Sequence, residues 1–444
     1  MAKVSLVSLG CPKNLVDSEG ALAEIALAGH EIVVDNTLAD VIVVNTCGFV
    51  ESARLESGET IREALEHRRS GDCKAVIVIG CLSQKFGADF KGAGFSVPTE
   101  LGNADVVMGV DHVGKLAVAI ESALSGKSID GVGEPPTKWI EPEARMQSTP
   151  PWTAYLKISD GCSNRCTYCA IPDIRGQYRS RPEDMILREA EWLADNGVRE
   201  LILIGQDLTQ YGRDFDERDA LASLLRKLNN IPKLHWIRLM YCYPSKVTPS
   251  LIDAIAECDK VVKYIDLPLQ HADDGVLGAM NRRGLSEEYM NVIDSLRAKM
   301  PEIALRTTFI VGFPGETDSA FENLLSFIQR VKFDKVGAFV YSREEGTPAA
   351  SMLDEAVPYD VAEQRYDRLM SAQQEISLAR NLSFIDRKME VLVEGRVEDV
   401  MFGRSYRDAP EIDGLVYLDD TSLKPGTFVR ATITNATEYD LITF

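Results

Sequence analysis

Histidine is scarce in this 444-residue chain: His30, His67, His112, His235 and His271 are scattered, and no two stand at the short spacing of a zinc-binding pair. That removes the zinc sites built on closely paired histidines. Positive charge is also short, with 48 Lys and Arg against 68 Asp and Glu and a formal net charge of −20. Nonspecific nucleic-acid affinity comes from neutralising phosphates with Lys and Arg, so broad contact with a nucleic-acid backbone is not expected. A cationic partner, drawn in by electrostatic steering, is the better match. No stretch approaches the roughly 18 uninterrupted apolar residues of a membrane span, and Met1-Ala-Lys3 passes straight into a strand-like run without the pattern of a secretory leader. The expected location is cytoplasmic, with no membrane partner.

What is present is enough apolar residue, 45%, for ordinary globular cores, enough length for two or three domains, and nine cysteines. In a reducing compartment these are metal ligands or buried residues before they are disulfides. Cys162, Cys166 and Cys169 sit in Lys157-Ile-Ser-Asp-Gly-Cys-Ser-Asn-Arg-Cys-Thr-Tyr-Cys-Ala-Ile-Pro172, directly after a short apolar run. Their CxxxCxxC spacing offers three thiolates to one centre. A cubane 4Fe-4S cluster normally takes four, so three leave one iron free to hold a small molecule. A zinc site would want a second CxxC or paired histidines. A thioredoxin-like reading of Cys166-Thr-Tyr-Cys169 leaves Cys162 unexplained.

The N-terminal segment repeats a strand-loop-helix unit. Apolar runs at 4–9, 41–44 and 76–79 are short, β-branched and nearly continuous, as in strands buried on both faces of a parallel sheet. Helix-like stretches at 14–28 and 51–69 lie between them; on the second, Arg62, His67, Arg68 and Arg69 alternate with Glu59, Glu63 and Glu66 as a solvated, salt-bridged face. Each strand ends in a small turn carrying one cysteine, Cys11, Cys47 or Cys81. Parallel strands joined by right-handed crossovers align their carboxyl ends on one sheet edge, so the three should converge into a second metal site. Cys73, Cys242 and Cys258 lack that placement and read as structural.

Pro- and Gly-rich punctuation at 131–137 and 148–151 puts the first domain boundary near 145. The middle segment, 146–383, alternates strands at 154–158, 200–204, 236–240, 262–267, 305–311 and 336–341 with helices such as 182–196 and 319–330. Six βα units are two short of a full barrel and predict an open, partial (β/α)6 barrel, with chemistry at the carboxyl ends of its strands. An amphipathic stretch at 361–382 leads into a third segment, 384–444, where strands at 389–393, 415–418 and 428–433 read as a small antiparallel β-barrel. From Glu390 onward it carries eleven acidic and five basic residues. A barrel of this kind usually binds nucleic acid through a basic face; an acidic one suits a Lys- and Arg-rich protein.

The CxxxCxxC loop, with Tyr168 before its third cysteine, resembles the radical S-adenosylmethionine (SAM) enzymes. With Gly10-Cys-Pro-Lys-Asn-Leu-Val-Asp-Ser-Glu19 and Gly161-Cys-Ser-Asn-Arg-Cys-Thr-Tyr-Cys-Ala-Ile-Pro-Asp-Ile-Arg-Gly176, the whole chain resembles the radical SAM methylthiotransferases: an α/β N-terminal domain with three cysteines (1–145), a radical SAM barrel (146–383) and a TRAM-like barrel for substrate recognition (384–444). The resemblance implies two 4Fe-4S clusters, on Cys162, Cys166 and Cys169 and on Cys11, Cys47 and Cys81. It implies that SAM serves as radical source and methyl donor, contacted by Tyr168, Gly205, Gln206, Asp207, Gln270, Arg306 and Gly312. The turn Gly205-Gln-Asp207 departs from the family's common Gly-Gly-Glu. The first cluster would cleave SAM, the adenosyl radical would take a hydrogen from the substrate, and the second cluster would carry the sulfur. No acid-base residue is singled out. An electron donor such as flavodoxin or ferredoxin is implied. One branch of the family modifies isopentenylated adenosine in transfer RNA; the other modifies the β-carbon of an aspartate in the small-subunit ribosomal protein numbered twelve. Asp266-Leu-Pro-Leu-Gln-His-Ala272 and Arg404-Ser-Tyr-Arg-Asp-Ala-Pro-Glu-Ile-Asp-Gly414 resemble the second branch, and the acidic third segment agrees with a basic protein target and argues against direct transfer-RNA binding.

Overall fold

The computed structural model describes residues 1–71, 73–87, 104–127 and 129–444. Its first sheet joins β1 (Lys3–Ser8), β2 (Glu31–Ile32), β3 (Val41–Thr46), β4 (Ala75–Gly80), β5 (Val106–Met108) and β6 (Ile129–Gly131) in the order β2-β1-β3-β4-β5-β6. Every pair is parallel. Both central strands, β3 and β4, are buried along their whole length. Alternate residues go to opposite faces: Val41, Val43, Ile77 and Ile79 pack under α1 (Pro12–Leu27) and α4 (Leu116–Leu124). Ile42, Val44, Val76 and Val78 pack under α2 (Glu51–Ser70) and Leu82 of α3 (Cys81–Phe86). Each such side chain removed from water contributes about 1.5–3 kcal/mol, which is why the pattern is a continuous apolar run. Strands β2, β5 and β6 are only two or three residues long, too short to show a period in the sequence.

Beyond the sheet the chain forms β7 (Thr153–Lys157), then β8 (Ser159–Asp160), α5 (Ile171–Arg175) and β9 (Arg179–Ser180), the last strand antiparallel to β8. By contacts, residues 1–149, 159–181 and 342–350 make one compact unit, and 150–158, 182–341 and 351–444 the other. The cysteine loop at 162–169 therefore groups with the N-terminal sheet.

The second unit holds the open barrel. After α6 (Glu183–Asp195) come β10 (Glu200–Ile204), α7 (Ala220–Asn229), β11 (Trp236–Leu239), α8 (Pro249–Glu257), β12 (Val261–Asp266), α9 (Asp274–Ala279), α10 (Ser286–Lys299), β13 (Ala304–Val311), α11 (Asp318–Val331) and β14 (Lys335–Val340). Six parallel strands stand in the order β14-β13-β12-β11-β10-β7, the expected partial barrel. Ile237 and Leu239, with Leu201, Leu203, Ile265 and Leu305, belong to the main apolar core. The alternation puts Arg238 on the opposite face of β11.

The stretch at 361–382 is one helix, α12 (Tyr359–Leu382), but its buried stripe is Ala362, Arg365, Leu369, Gln373, Ser377 and Asn381. Apart from Ala362 and Leu369 that stripe is polar, and Gln373 Nε2 donates to Phe333 O at 3.0 Å. A curled, mostly antiparallel sheet follows: β15 (Lys388–Val397), β16 (Val400–Ser405), β17 (Val416–Leu418), β18 (Phe428–Thr432), β19 (Asn435–Ala436) and β20 (Leu441–Ile442). Its only parallel pair among the described residues is β17 with β20.

The segment 404–413 of this sheet corrects part of the expectation that the acids of the third segment face a basic partner. Arg404 bonds Glu200 at 2.5 Å, and Arg238 donates to the backbone oxygens of Ser405 (3.4 Å) and Tyr406 (2.8 Å). Arg407 bonds Asp334 at 3.1 Å, Lys335 bonds Asp408 at 2.8 Å, and Asp413 accepts from Tyr264 at 2.8 Å. Glu200, Asp334 and Lys335 stand at or next to the first residues of β10 and β14, so the segment caps the amino-terminal mouth of the barrel. The side chains of Asp408 and Asp413 are buried among cations rather than offered to a partner.

Candidate metal centre

Each N-terminal cysteine sits where a strand hands over to a helix. Cys11 is the residue before α1, Cys47 follows β3, and Cys81 opens α3. The turns touch. Gly10 has φ +87°, and a Cβ there would meet Cys47 Cβ at 2.7 Å. Gly48 lies against Cys81, where a Cβ would come within 2.9 Å of the Cys81 carbonyl oxygen. Gly80, at φ +101°, leaves no room for a Cβ beside the Asn45 side chain. At Gly10 and Gly80 only glycine accepts both the left-handed backbone and this proximity.

Asn14 knits the turns together, its Nδ2 donating to Leu9 O at 3.0 Å and to Thr46 O at 2.9 Å. Its Oδ1 accepts from Arg175 and, at 3.6 Å, from Cys81 Sγ. Arg175, at the end of α5 and 2% exposed, also donates through Nε to Cys81 Sγ at 3.3 Å and through Nη1 to Asp17 at 2.8 Å and Asp160 at 3.3 Å. Burial pushes the Cys81 thiol up to about 12, with Arg175 pulling the other way. Burial likewise raises Cys47. For Cys11 burial is outweighed by Lys13, Arg175 and backbone N–H groups, and its thiol is lowered. A metal taking these ligands must displace the protons that burial favours on Cys47 and Cys81.

The second set lies in the loop between β8 and β9. Cys166 is buried, while Cys162, Cys169 and Tyr168 are half-buried. Cys162 N donates to Gly176 O at 3.1 Å and Cys169 N to Cys166 O at 3.1 Å, so the backbone curls the three cysteines around one loop. Thr167 O accepts from Ala349 N at 2.9 Å, and the 342–350 segment is pinned in turn by Glu344, a buried carboxylate bonded by Arg54 and by Lys85 at 3.0 Å. Among the described residues no three His, Cys, Asp or Glu side chains converge as a single ion requires. A cubane gives each thiolate its own iron, and three thiols spread over one loop, or over three adjoining turns, fit that demand.

In the other unit, Gly205 is buried and Gln206 half-buried just past β10. Asp207 shapes the turn, accepting from Thr209 N at 3.1 Å, Gln210 Nε2 at 2.9 Å and Lys246 Nζ at 2.8 Å. Gln270 has φ +71° and is bridged to β13 through Thr308 O and Ile310 N. Arg306 is held by Asp266 at 3.0 Å and Asp413 at 3.5 Å. Gly312, at φ +71°, packs against Ala362, and its N–H is taken by Glu316. His271 is a packing residue: its Nδ1 accepts from Asp273 N at 3.0 Å, which places the proton on Nε2, facing Glu316 at 3.3 Å. Cys73, Cys242 and Cys258 are buried, Cys73 donating to Ala75 O at 3.3 Å. Asn14, Asp17 and Arg175 were not among the expected site residues although they lie inside the two cysteine motifs; the opposite charges of Asp17 and Arg175, one in each motif, were the available signal.

The sequence matches the Radical SAM superfamily at 156–328, the TRAM domain at 385–443 and the Uncharacterized protein family UPF0004 at 3–102. A protein of Geobacter sulfurreducens called ribosomal protein uS12 methylthiotransferase RimO is 45% identical over 99% of this chain and 98% of its own. One of the same name from Pelotomaculum thermopropionicum is 46% identical over 99% and 98%. The chain belongs to the RimO family of ribosomal protein uS12 methylthiotransferases. Among solved structures, the radical SAM methyltransferase TsrM of Kitasatospora setae is similar in fold, with a TM-score of 0.59 at 16% identity over 82% of this chain and 76% of that one. In this member of the RimO family, no helix among the described residues is long and apolar enough to cross a membrane.

Proposed function

We propose that this chain is a radical SAM methylthiotransferase that places a methylthio group on the β-carbon of an aspartate in ribosomal protein uS12. The full-length likeness to the RimO family supports the reaction and the ribosomal substrate. The observation that carries it in the structure is the meeting of the Cys11, Cys47 and Cys81 turns, with Arg175 of the second cysteine loop bonded to Cys81. Cys162, Cys166 and Cys169 would hold one 4Fe-4S cluster and Cys11, Cys47 and Cys81 the other. Three cysteines would leave one iron of a bound cluster without a protein ligand, and the group would supply SAM binding and one-electron reduction there. Tyr168, Gly205, Gln206, Asp207, Gln270, Arg306 and Gly312 are the proposed SAM contacts. Asp207 also keeps its turn closed through Thr209, Gln210 and Lys246, and so shapes the turn that presents Gly205 and Gln206. Segments 1–145, 146–383 and 384–444 serve as cluster, SAM and recognition domains. The enzyme works in the cytoplasm with an electron donor such as flavodoxin or ferredoxin, and without transfer RNA or a membrane as partner.

Two triple variants test the ligand assignment. Replacing Cys162, Cys166 and Cys169 with Ala should leave about four irons per chain and abolish 5'-deoxyadenosine formation. Replacing Cys11, Cys47 and Cys81 should also leave about four irons, keep SAM cleavage and stop methylthio transfer. Persistent SAM cleavage in the first variant would overturn the assignment.

A further inference from the structure

We infer that Arg175 is a positioning residue shared by the two cysteine sets, seating the N-terminal cluster through its hydrogen bond to Cys81 Sγ and setting that cluster's reduction potential with its fixed charge. The inference rests on the ligand reading above. Arg175 closes the helix that directly follows the Cys162–Cys169 loop, and the next residue, Gly176, accepts from Cys162 N at 3.1 Å. Its side chain reaches Cys81 Sγ at 3.3 Å and Asn14, the residue that ties the Cys11 and Cys47 turns. One guanidinium thus binds both loops.

Burying a guanidinium is costly unless it is paired and its donors are used. Asp17 and Asp160 supply the pairing, and Arg179 shares Asp160 at 3.0 Å, so two cations face two carboxylates. The four groups balance, so the Nε–H directed at Cys81 Sγ is the positive part of a neutral set, and removing Arg175 leaves one carboxylate uncompensated beside the cysteine. An arginine stays protonated at any working pH. Hydrogen bonds to ligand sulfur and local net charge are among the factors that set an iron-sulfur potential. One-electron reduction adds a negative charge to the cluster, and a cation bonded to its ligand stabilises the reduced form more than the oxidised one. Removing that cation lowers the potential. A purely structural Arg175 would affect cluster retention alone.

The test uses the full chain with Cys162, Cys166 and Cys169 replaced by Ala, so that the N-terminal cluster is the only one present. Electrochemical titration followed by electron paramagnetic resonance is run on this parent, on Arg175→Met and on Arg175→Lys, with iron counted in each. Arg175→Met should shift the midpoint potential to more negative values at retained iron, and Arg175→Lys, which keeps the charge without the planar fork, should fall between. If Arg175→Met loses its cluster, the parent grown on 15N-arginine decides: pulsed resonance on the reduced cluster should show coupling to an arginine nitrogen that Arg175→Lys lacks. An unmoved potential at full iron, or no arginine coupling in the parent, overturns the role of Arg175. A parent that binds no iron overturns instead the assignment of Cys11, Cys47 and Cys81.

Discussion

Glu200 shows how a single side chain decides a mouth of the barrel. It is fully buried at the first position of β10 and faces Arg238 at 2.9 Å and Arg404 at 2.5 Å. Burial alone would raise its carboxyl; Arg404 and Arg238 outweigh that and hold it below the usual range. A carboxylate depressed in the folded state contributes stability that is complete above its unfolded value of about 4.3 and fades as the pH falls through the lower folded one. Glu200→Gln takes the carboxylate from buried Arg238 and leaves Arg404 only Glu394, at 2.7 Å, and should cost about 3–5 kcal/mol at neutral pH. The gap to the parent should narrow below about pH 4, where the parent loses what the variant never had. Urea unfolding at the two pH values measures this; a gap that stays constant or widens on acidification would show that Glu200 is not the charged partner of the two arginines.

At the level of elements, the cysteine-bearing turns were legible because a strand that is apolar throughout must end abruptly, and each ending carried one cysteine and a glycine. The partial barrel was legible for a similar reason, in six apolar runs alternating with helix-like stretches. What the sequence did not disclose were pairings across long separations. Arg54 and Glu344 are 290 residues apart, and neither stands in a pattern that names the other. The 404–413 segment illustrates the same limit. Asp408 and Asp413 read as surface because charged residues usually are, yet Lys335 and Arg306, which pair with them in the interior, come from β14 and β13. Removal of 385–444 would leave Glu200 without Arg404, Asp334 without Arg407 and Lys335 without Asp408. Such a truncation should be poorly soluble and should lose SAM cleavage along with substrate binding, as measured by soluble yield and 5'-deoxyadenosine formation. A soluble truncation that cleaves SAM at the parent's rate would show that the segment is a dispensable recognition module.

For the whole molecule, the sequence separated three segments by composition, while the contacts gather the chain into two units, with the cysteine loop and residues 342–350 grouped with the N-terminal sheet. Composition records what each segment is made of; the buried ties from Arg175 and Glu344 decide what it packs with. The net charge of −20 remains the broad argument for a basic protein substrate over transfer RNA, although the buried pairs at 404–413 take Asp408 and Asp413 out of that surface. The most direct measurement is intact-mass analysis after anaerobic reaction of the reconstituted full chain with SAM and a reductant, offering uS12, in ribosomes and free, beside unmodified transfer RNA. The expected result is one methylthio group in place of one hydrogen on uS12, mapped by fragmentation to an aspartate, with the transfer RNA unchanged. Sulfur appearing in the transfer RNA and not in uS12 would contradict it.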